Sequence, residues 1–230
     1  MNRCVEPELL DSLPPDAPEA MASRRDLTLL NRIMGHHRIM AGMLLTAWPQ
    51  LADARLIELG AGDGAFILQL ARLLSPHWSS MTAVLVDRSE AVTTATRDGL
   101  RRLGWSVEVV TADVFDWLRT PGRRYTDVVV ANLFLHHFTE ELLRNLLGQV
   151  AATTNLFAAC EPWRSPVALN FSRLVGVIGC NHVTRNDAVV SVRAGFAGQE
   201  LSQLWPHQPH WQLNEGSRRL FTHAFLAHRR

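Results

Sequence analysis

Five short apolar runs that alternate with stretches of helical periodicity restrict this chain more than any other feature. They are Arg55-Leu-Ile-Glu-Leu59, Thr82 to Val86, Ser106 to Val110, Asp127 to Ala131 and Asn155 to Cys160, each of strand length. Between them, Ala65 to Leu74, the segment from Asp87 to Leu103, and Glu140 to Val150 carry apolar residues at helical spacing. Strands without a polar face that alternate with helices specify a parallel sheet covered on both sides by crossover helices. The end of the chain differs: Trp211 to Glu215 and Arg219 to Ala227 read as two strands joined by a turn at Gly216. The expected fold is α/β, a doubly wound, mostly parallel sheet that closes with an antiparallel hairpin.

The flanks divide the rest. Residues 1–22 hold Glu6, Glu8, Asp11, Asp16 and Glu19 among Pro7, Pro14, Pro15 and Pro18, a mixture that buries little and interrupts helices, so an acidic arm outside the core is expected. From Asp26 onward Leu27, Leu30 and Met34 recur at steps of three and four. Ile39, Met43 and Leu44 resume the pattern beyond Gly35 and His36, which predicts a helical lid over 23–48 hinged near Gly35. The cofactor-binding sheet then covers 54–161. The pattern loosens from Trp163 to Thr184, turns helical again from Asp187 to Arg193, and residues 162–230 make an acceptor segment and the hairpin. All of it fits one domain of 230 residues.

Composition narrows the chemistry. All 23 basic residues are arginine, so a Schiff-base lysine or a P-loop lysine is ruled out. Against 22 acids the net charge is +1, which offers no general field for a polyanion, and nucleic acid is not an expected partner. Cys4, Cys160 and Cys180 are odd in number and widely spaced, which argues against a disulfide framework or structural zinc and for a reducing cytoplasm. No run of 18 apolar residues is present, so no membrane span is expected. The oligomeric state is open.

The stretch Leu56-Ile-Glu-Leu-Gly-Ala-Gly-Asp-Gly-Ala65 is a buried strand running through a glycine-rich turn into a helix. Gly60, Gly62 and Gly64 allow a sharp turn and close approach of a ligand, and the helix N-terminus favours an anionic group there. Gly60-x-Gly62-x-x-Ala65 also satisfies a loose dinucleotide fingerprint, so three neighbouring acids decide between ligands. Glu58 lies inside the strand, where an acid is costly unless it meets a cation such as the ammonium of an amino-acid tail. Asp87 ends the second strand, where a carboxylate can take both hydroxyls of a ribose. Asp113 follows the third strand, able to accept from an adenine amino group, with the Val114 N–H facing a ring nitrogen. Tail, ribose and adenine therefore follow one another along the sheet edge.

With Glu58-Leu-Gly-Ala-Gly-Asp-Gly64, Leu85-Val-Asp87, Ala112-Asp113-Val114 and Asn132-Leu-Phe-Leu-His-His137 in this order, the chain resembles the class I S-adenosylmethionine-dependent methyltransferases over about residues 54–161. Asn132 to Phe138 and Cys160-Glu-Pro-Trp163 look most like the small-molecule branch that contains the ubiquinone and menaquinone biosynthesis enzymes. The resemblance implies seven strands with the last antiparallel, S-adenosyl-L-methionine as cofactor and S-adenosyl-L-homocysteine as product. It also implies that the glycine turn, with Asp63, holds the methionine moiety and that Asn132 lies on the pocket floor near the sulfonium. Two departures count. Asn132 is not followed by the Pro-Pro-Tyr-like element of amino methyltransferases, and Ala131-Asn-Leu-Phe134 offers no oxygen-ligand cluster for magnesium, so no metal is expected.

His136 and His137 follow the fourth strand, where open α/β sheets bind their ligands, and are the candidate general bases; the bland alternative is one packed and one solvated histidine. An acceptor that is already a phenolate or enolate needs no base. A metal site from His36-His37 with His136-His137 is disfavoured because neighbours on a helix point about 100° apart. His36 and His37 are expected to be surface histidines, with a place in the lid as the alternative. Met34, Phe134, Trp163, Phe171 and His182 are candidates for the acceptor pocket, with core packing the rival for the aromatics. Arg24, Arg25, Arg32 and Arg38 read as a solvated face partnering the acidic arm, and Cys160 and Cys180 as small buried hydrophobes.

The expected activity is transfer of a methyl group to an O or C atom of a small aromatic or polyketide-like acceptor. Two other classes compete. An NAD(P)-dependent oxidoreductase is disfavoured because Asp87 lies 27 residues beyond Gly60 rather than about 20. A catalytically silent, cofactor-binding partner subunit is the other.

Overall fold

The computed structural model describes residues 1–14, 17–120, 126–174, 179–219 and 221–229. Pro15 and Asp16 of the predicted arm and residues 175–178 of the acceptor segment lie outside them, as do the side chains of Asp11 and Arg32.

Seven strands form one sheet: β1 (Arg55–Leu59), β2 (Thr82–Asp87), β3 (Ser106–Thr111), β4 (Thr126–Asn132), β5 (Thr154–Pro162), β6 (Trp211–Arg218) and β7 (Thr222–Arg229). Their spatial order is β3-β2-β1-β4-β5-β7-β6. The first five are parallel, while β7 runs antiparallel between β5 and β6. Helices α1 (Leu9–Ser12), α2 (Pro18–Met34) and α3 (His36–Ala47) precede the sheet. Then come α4 (Ala65–Leu74), α5 (Thr94–Arg102), α6 (Val114–Arg119), α7 (Glu140–Thr153), α8 (Pro166–Leu174), α9 (His182–Ala194) and α10 (Glu200–Leu204).

The apolar runs are continuous because both faces of the sheet are covered. Leu56, Val128, Val130, Leu156 and Ala158 pack with Met40, Leu44, Ile67, Leu70 and Leu100 on one side. Ile57, Leu59, Val84, Val129 and Phe157 pack with Leu118, Leu143, Leu147 and Leu201 on the other. Successive strand residues point to opposite faces, so each run feeds two cores at once.

The register aligns the carboxyl ends. Leu59 lies beside Val86 and Ala131, Asp87 beside Thr111, and Asn132 beside Cys160. The predicted cofactor residues therefore share one edge of the sheet.

Several sequence expectations are corrected. The helix expected from Asp26 begins at Pro18, a residue suited to the first helical turn, and buries Ala20 and Ser23. The hinge is where it was expected, with Gly35 in the left-handed region between α2 and α3 (φ 65°). The arm of residues 1–22 is docked rather than detached. Arg3 donates to the carbonyl oxygens of Ala194 (2.7 Å), Phe138 (2.8 Å) and His136 (3.2 Å), and its guanidinium lies 4.6 Å from the Phe196 ring centre. Asp187 accepts from the Leu9 and Leu10 N–H groups at the start of α1. The loose stretch after Trp163 contains α8, whose Ser165 hydroxyl accepts from the Ala168 N–H. Gly216 is not the hairpin turn: it pairs with Ala224 inside the ladder, and the reversal comes after Arg218.

Candidate active site

The turn after β1 is built by backbone bonds. The Gly60 and Ala61 N–H groups both donate to Val86 O (2.9 and 3.1 Å), and the Gly62 N–H donates to Asp87 Oδ2 (2.9 Å). Gly60 and Gly62 have φ of 71° and 52°, a region that L side chains avoid. A Cβ on Gly60 would lie 2.2 Å from Phe134 Cδ2, whereas one on Gly62 meets nothing within 4 Å. Phe134 thus closes over the first glycine, and the second faces open space. Asp63 accepts from the Ala65 N–H, and its carbonyl takes the Thr96 hydroxyl, tying the turn to α4 and α5. Gly64 precedes α4 as its N-terminal cap.

Glu58 is 2% exposed, and its Oε2 has no hydrogen-bond partner among the described residues. Burial pushes its carboxyl well above the usual range, and the nearby charges of Asp63 and Asp87 push it further. A buried acid in this state suits an ammonium donor arriving from the adjoining turn. Asp87 Oδ1 accepts from the Ser89 N–H and hydroxyl (2.9 and 2.8 Å) and Oδ2 from the Gly62 N–H, so the protein orients both oxygens of the carboxylate. Further acceptor positions remain for a diol. Asp113 caps α6, accepting from the Phe115 N–H (2.8 Å), and Val114 is the first helical residue, whose N–H has no partner within its helix. The unpartnered acid, the open glycine face and the ordered acceptors fit the tail, ribose and adenine of an adenosyl amino acid.

Asn132 ends β4, one position beyond the Leu59–Ala131 pair, and is therefore level with Gly60. Its Oδ1 is 2.8 Å from His36 Nδ1. His36, expected at the surface, is 1% exposed, and its Nε2 has no partner among the described residues. Burial lowers its pKa to about 4 against the opposing bond to Asn132, so the ring is neutral. An amide oxygen only accepts, which puts the proton on Nδ1 and the lone pair on Nε2.

The two candidate bases part company. His136 is 3% exposed, with Nδ1 2.7 Å from Glu161 Oε2 and Nε2 3.5 Å from Glu8 Oε1. Burial alone would lower its pKa, but the two carboxylates raise it to about 9. In this arrangement His136 is an imidazolium and is not free to take a proton. Glu161 also accepts from the Phe134, Leu135 and His136 N–H groups. Despite burial, His136 and these donors hold its carboxyl below the ordinary value. His137 is exposed on the same turn, its ring centre 4.2 Å from that of His136, and the ligand atoms of Glu8, His136 and His137 lie within 4.8 Å of one another.

The pocket candidates scatter. Met34 is the last residue of α2 and half-buried, and the Trp163 N–H donates to Phe221 O. Phe171 is exposed and stacks on Phe221, and His182 is exposed at the start of α9. Glu8 contributes to the His136 site instead of pairing with the arginines of α2. Cys160 and Cys180 are buried free thiols, as expected. Sequence reasoning missed Glu8, Glu161 and the interior place of His36. Only Cys160-Glu-Pro-Trp163 carried a signal for any of them. Among the described residues no helix is long and apolar enough to cross a membrane.

The sheet order, five parallel strands closed by an antiparallel hairpin, is that of the Rossmann-like methyltransferase fold. Residues 56–155 match the family model described as a methyltransferase domain. No curated protein sequence matches the chain. Similar folds include an O-methyltransferase family protein from Burkholderia thailandensis (TM-score 0.56, 17% identity, 93% of this chain and 60% of that one). Magnesium protoporphyrin IX methyltransferase from Synechocystis PCC 6803, with bound SAH, is another (0.52, 14%, 86% and 84%). A third is the pyocyanin biosynthetic protein PhzM (0.59, 15%, 94% and 60%). The chain thus spans 60% of the length of the first and third of these.

Proposed function

We propose that the protein transfers the methyl group of S-adenosyl-L-methionine to an oxygen or carbon atom of a small, aromatic or polyketide-like acceptor. The observation that carries the cofactor half is the row of Glu58, Asp87 and Asp113 at successive strand ends, with Glu58 Oε2 buried and unpartnered beside the turn. The cofactor supplies an electrophilic methyl on a sulfonium, which leaves as a neutral thioether while the acceptor atom gains the carbon and gives up its proton.

The protein's part is placement, exclusion of water and removal of that proton. Glu58 neutralises the ammonium, Asp87 holds the ribose, and Asp113 with the Val114 N–H reads the adenine. Phe134 covers the glycine turn and keeps the site dry. His36 is the better base than His136, since its neutral ring is oriented by Asn132 with Nε2 unpartnered. The names of the similar folds support an oxygen atom and an aromatic acceptor.

Calorimetry and a labelled-methyl screen of phenols, quinols and polyketides test the reading. S-adenosyl-L-homocysteine should bind one per chain, and His36→Asn should leave that affinity intact while slowing transfer to an acceptor hydroxyl by roughly 10²-fold or more. Tight binding of a nicotinamide dinucleotide without binding of S-adenosyl-L-homocysteine would overturn it.

A further inference from the structure

We propose that Glu8, His136 and His137 form a site for one divalent transition-metal ion of the zinc type, which fastens the N-terminal arm across the carboxyl end of β4. The inference does not depend on the methyl-transfer reading.

The Glu8 Oε1 to His136 Nε2 separation is 3.5 Å. That is long for a charge-assisted hydrogen bond, which spans about 2.7–2.9 Å. It is the spacing of two ligands on one ion: zinc bound at about 2.0–2.2 Å to nitrogen and oxygen in a tetrahedral arrangement keeps its ligands roughly 3.4 Å apart. His137 completes the set, with all three ligand atoms inside 4.8 Å. Neighbouring residues on a helical turn ordinarily diverge, yet at the Leu135–His137 turn the His136 and His137 ring centres are 4.2 Å apart and the rings are tilted by 33°.

The surroundings are those of a built site. Glu161 accepts from His136 Nδ1 at 2.7 Å, which leaves Nε2 directed at Glu8. A carboxylate behind a ligating imidazole is the recurrent support of metal-bound histidine. Glu161 is fixed in turn by three backbone N–H groups, and the Ser191 hydroxyl donates to Glu8. Two imidazoles and one carboxylate suit zinc or a neighbouring first-row ion, with a fourth position left for water on the exposed His137 side. On binding, the ion takes the place of the Nε2 proton, which passes to solvent.

The test uses the full chain, stripped with a chelator and titrated with zinc by calorimetry and with cobalt(II) by visible absorption. One ion per chain is expected, weakened at least about tenfold in Glu8→Gln and in His137→Asn, both checked for folding by circular dichroism. Zinc should also slow hydrogen exchange at the Leu9 and Leu10 amides in the natural protein and not in these variants. Equal affinity in the natural protein and both variants would place the ion on other histidines and overturn the proposal. So would absence of binding, or arm exchange indifferent to zinc.

Discussion

Glu58 is held in a state that the chain alone does not favour. Its carboxyl is buried, partly unpartnered and beside two other acids, so folding costs free energy wherever the unfolded chain would ionise it. The sign follows from linkage: with a native pKa raised above the unfolded value near 4.5, the carboxyl's contribution to stability falls as pH rises above about 4.5. Glu58→Gln keeps the shape without the charge. The variant should melt higher than the natural protein in the cofactor-free form, with the gap wider at pH 8 than at pH 5 by scanning calorimetry. Its affinity for S-adenosyl-L-homocysteine should fall by about 1.5–3 kcal/mol, the worth of a charge-assisted hydrogen bond. A residue of this kind is legible from sequence because its offset from the strand end and the turn is fixed by geometry. The positions of Glu58, Asp87 and Asp113 at successive strand ends are legible in that way. Glu161, Glu8 and His36 are not, because their partners, His136 for the first two and Asn132 for the third, lie 25, 128 and 96 residues away, and no local pattern records such a pairing.

The glycine turn treats its residues unequally. At Gly60 an added Cβ would strike the Phe134 ring, while at Gly62 it would enter open space. Gly60→Ala should therefore lower the melting temperature by the left-handed penalty of about 1–2 kcal/mol plus the overlap with Phe134, and Phe134→Ala should restore the second part only. Gly62→Ala should cost the backbone penalty alone, yet abolish the heat of S-adenosyl-L-homocysteine binding if that space belongs to the methionine tail. Elements as such were read well where periodicity is strong. All five parallel strands and α4 lie where the apolar runs predict them. Boundaries failed where polar caps and proline set them: α2 starts at Pro18 and α8 at Pro166, both positions that look like interruptions until the residue is placed in the first turn. The hairpin turn was misplaced because Gly216 sits inside a strand whose Glu215 carboxylate is buried against His223 and the first turn of α10.

At the scale of the molecule, the sheet order puts unlike strands at its borders. β3 and β6 are the outer strands, and β6 shows water the polar side chains Gln212, Asn214 and Ser217, which discourage pairing with another chain. β5 has no such protection: all but one of its residues are buried, and its second border is closed only by β7. The arrival of β7 from the far end of the chain has a temporal consequence. On a ribosome β5 is complete while residues 163–221 are still to be made, an interval on the order of several seconds. For that time a nascent chain carries a strand with the apolar run Leu156–Cys160 and one bare edge, the segment on which a holding chaperone should act. A chain stopped after Trp205 would keep that edge bare for good. It should partition to the insoluble fraction and bind an amyloid dye, whereas the same chain supplied in trans with residues 206–230 should regain solubility in proportion to the peptide added.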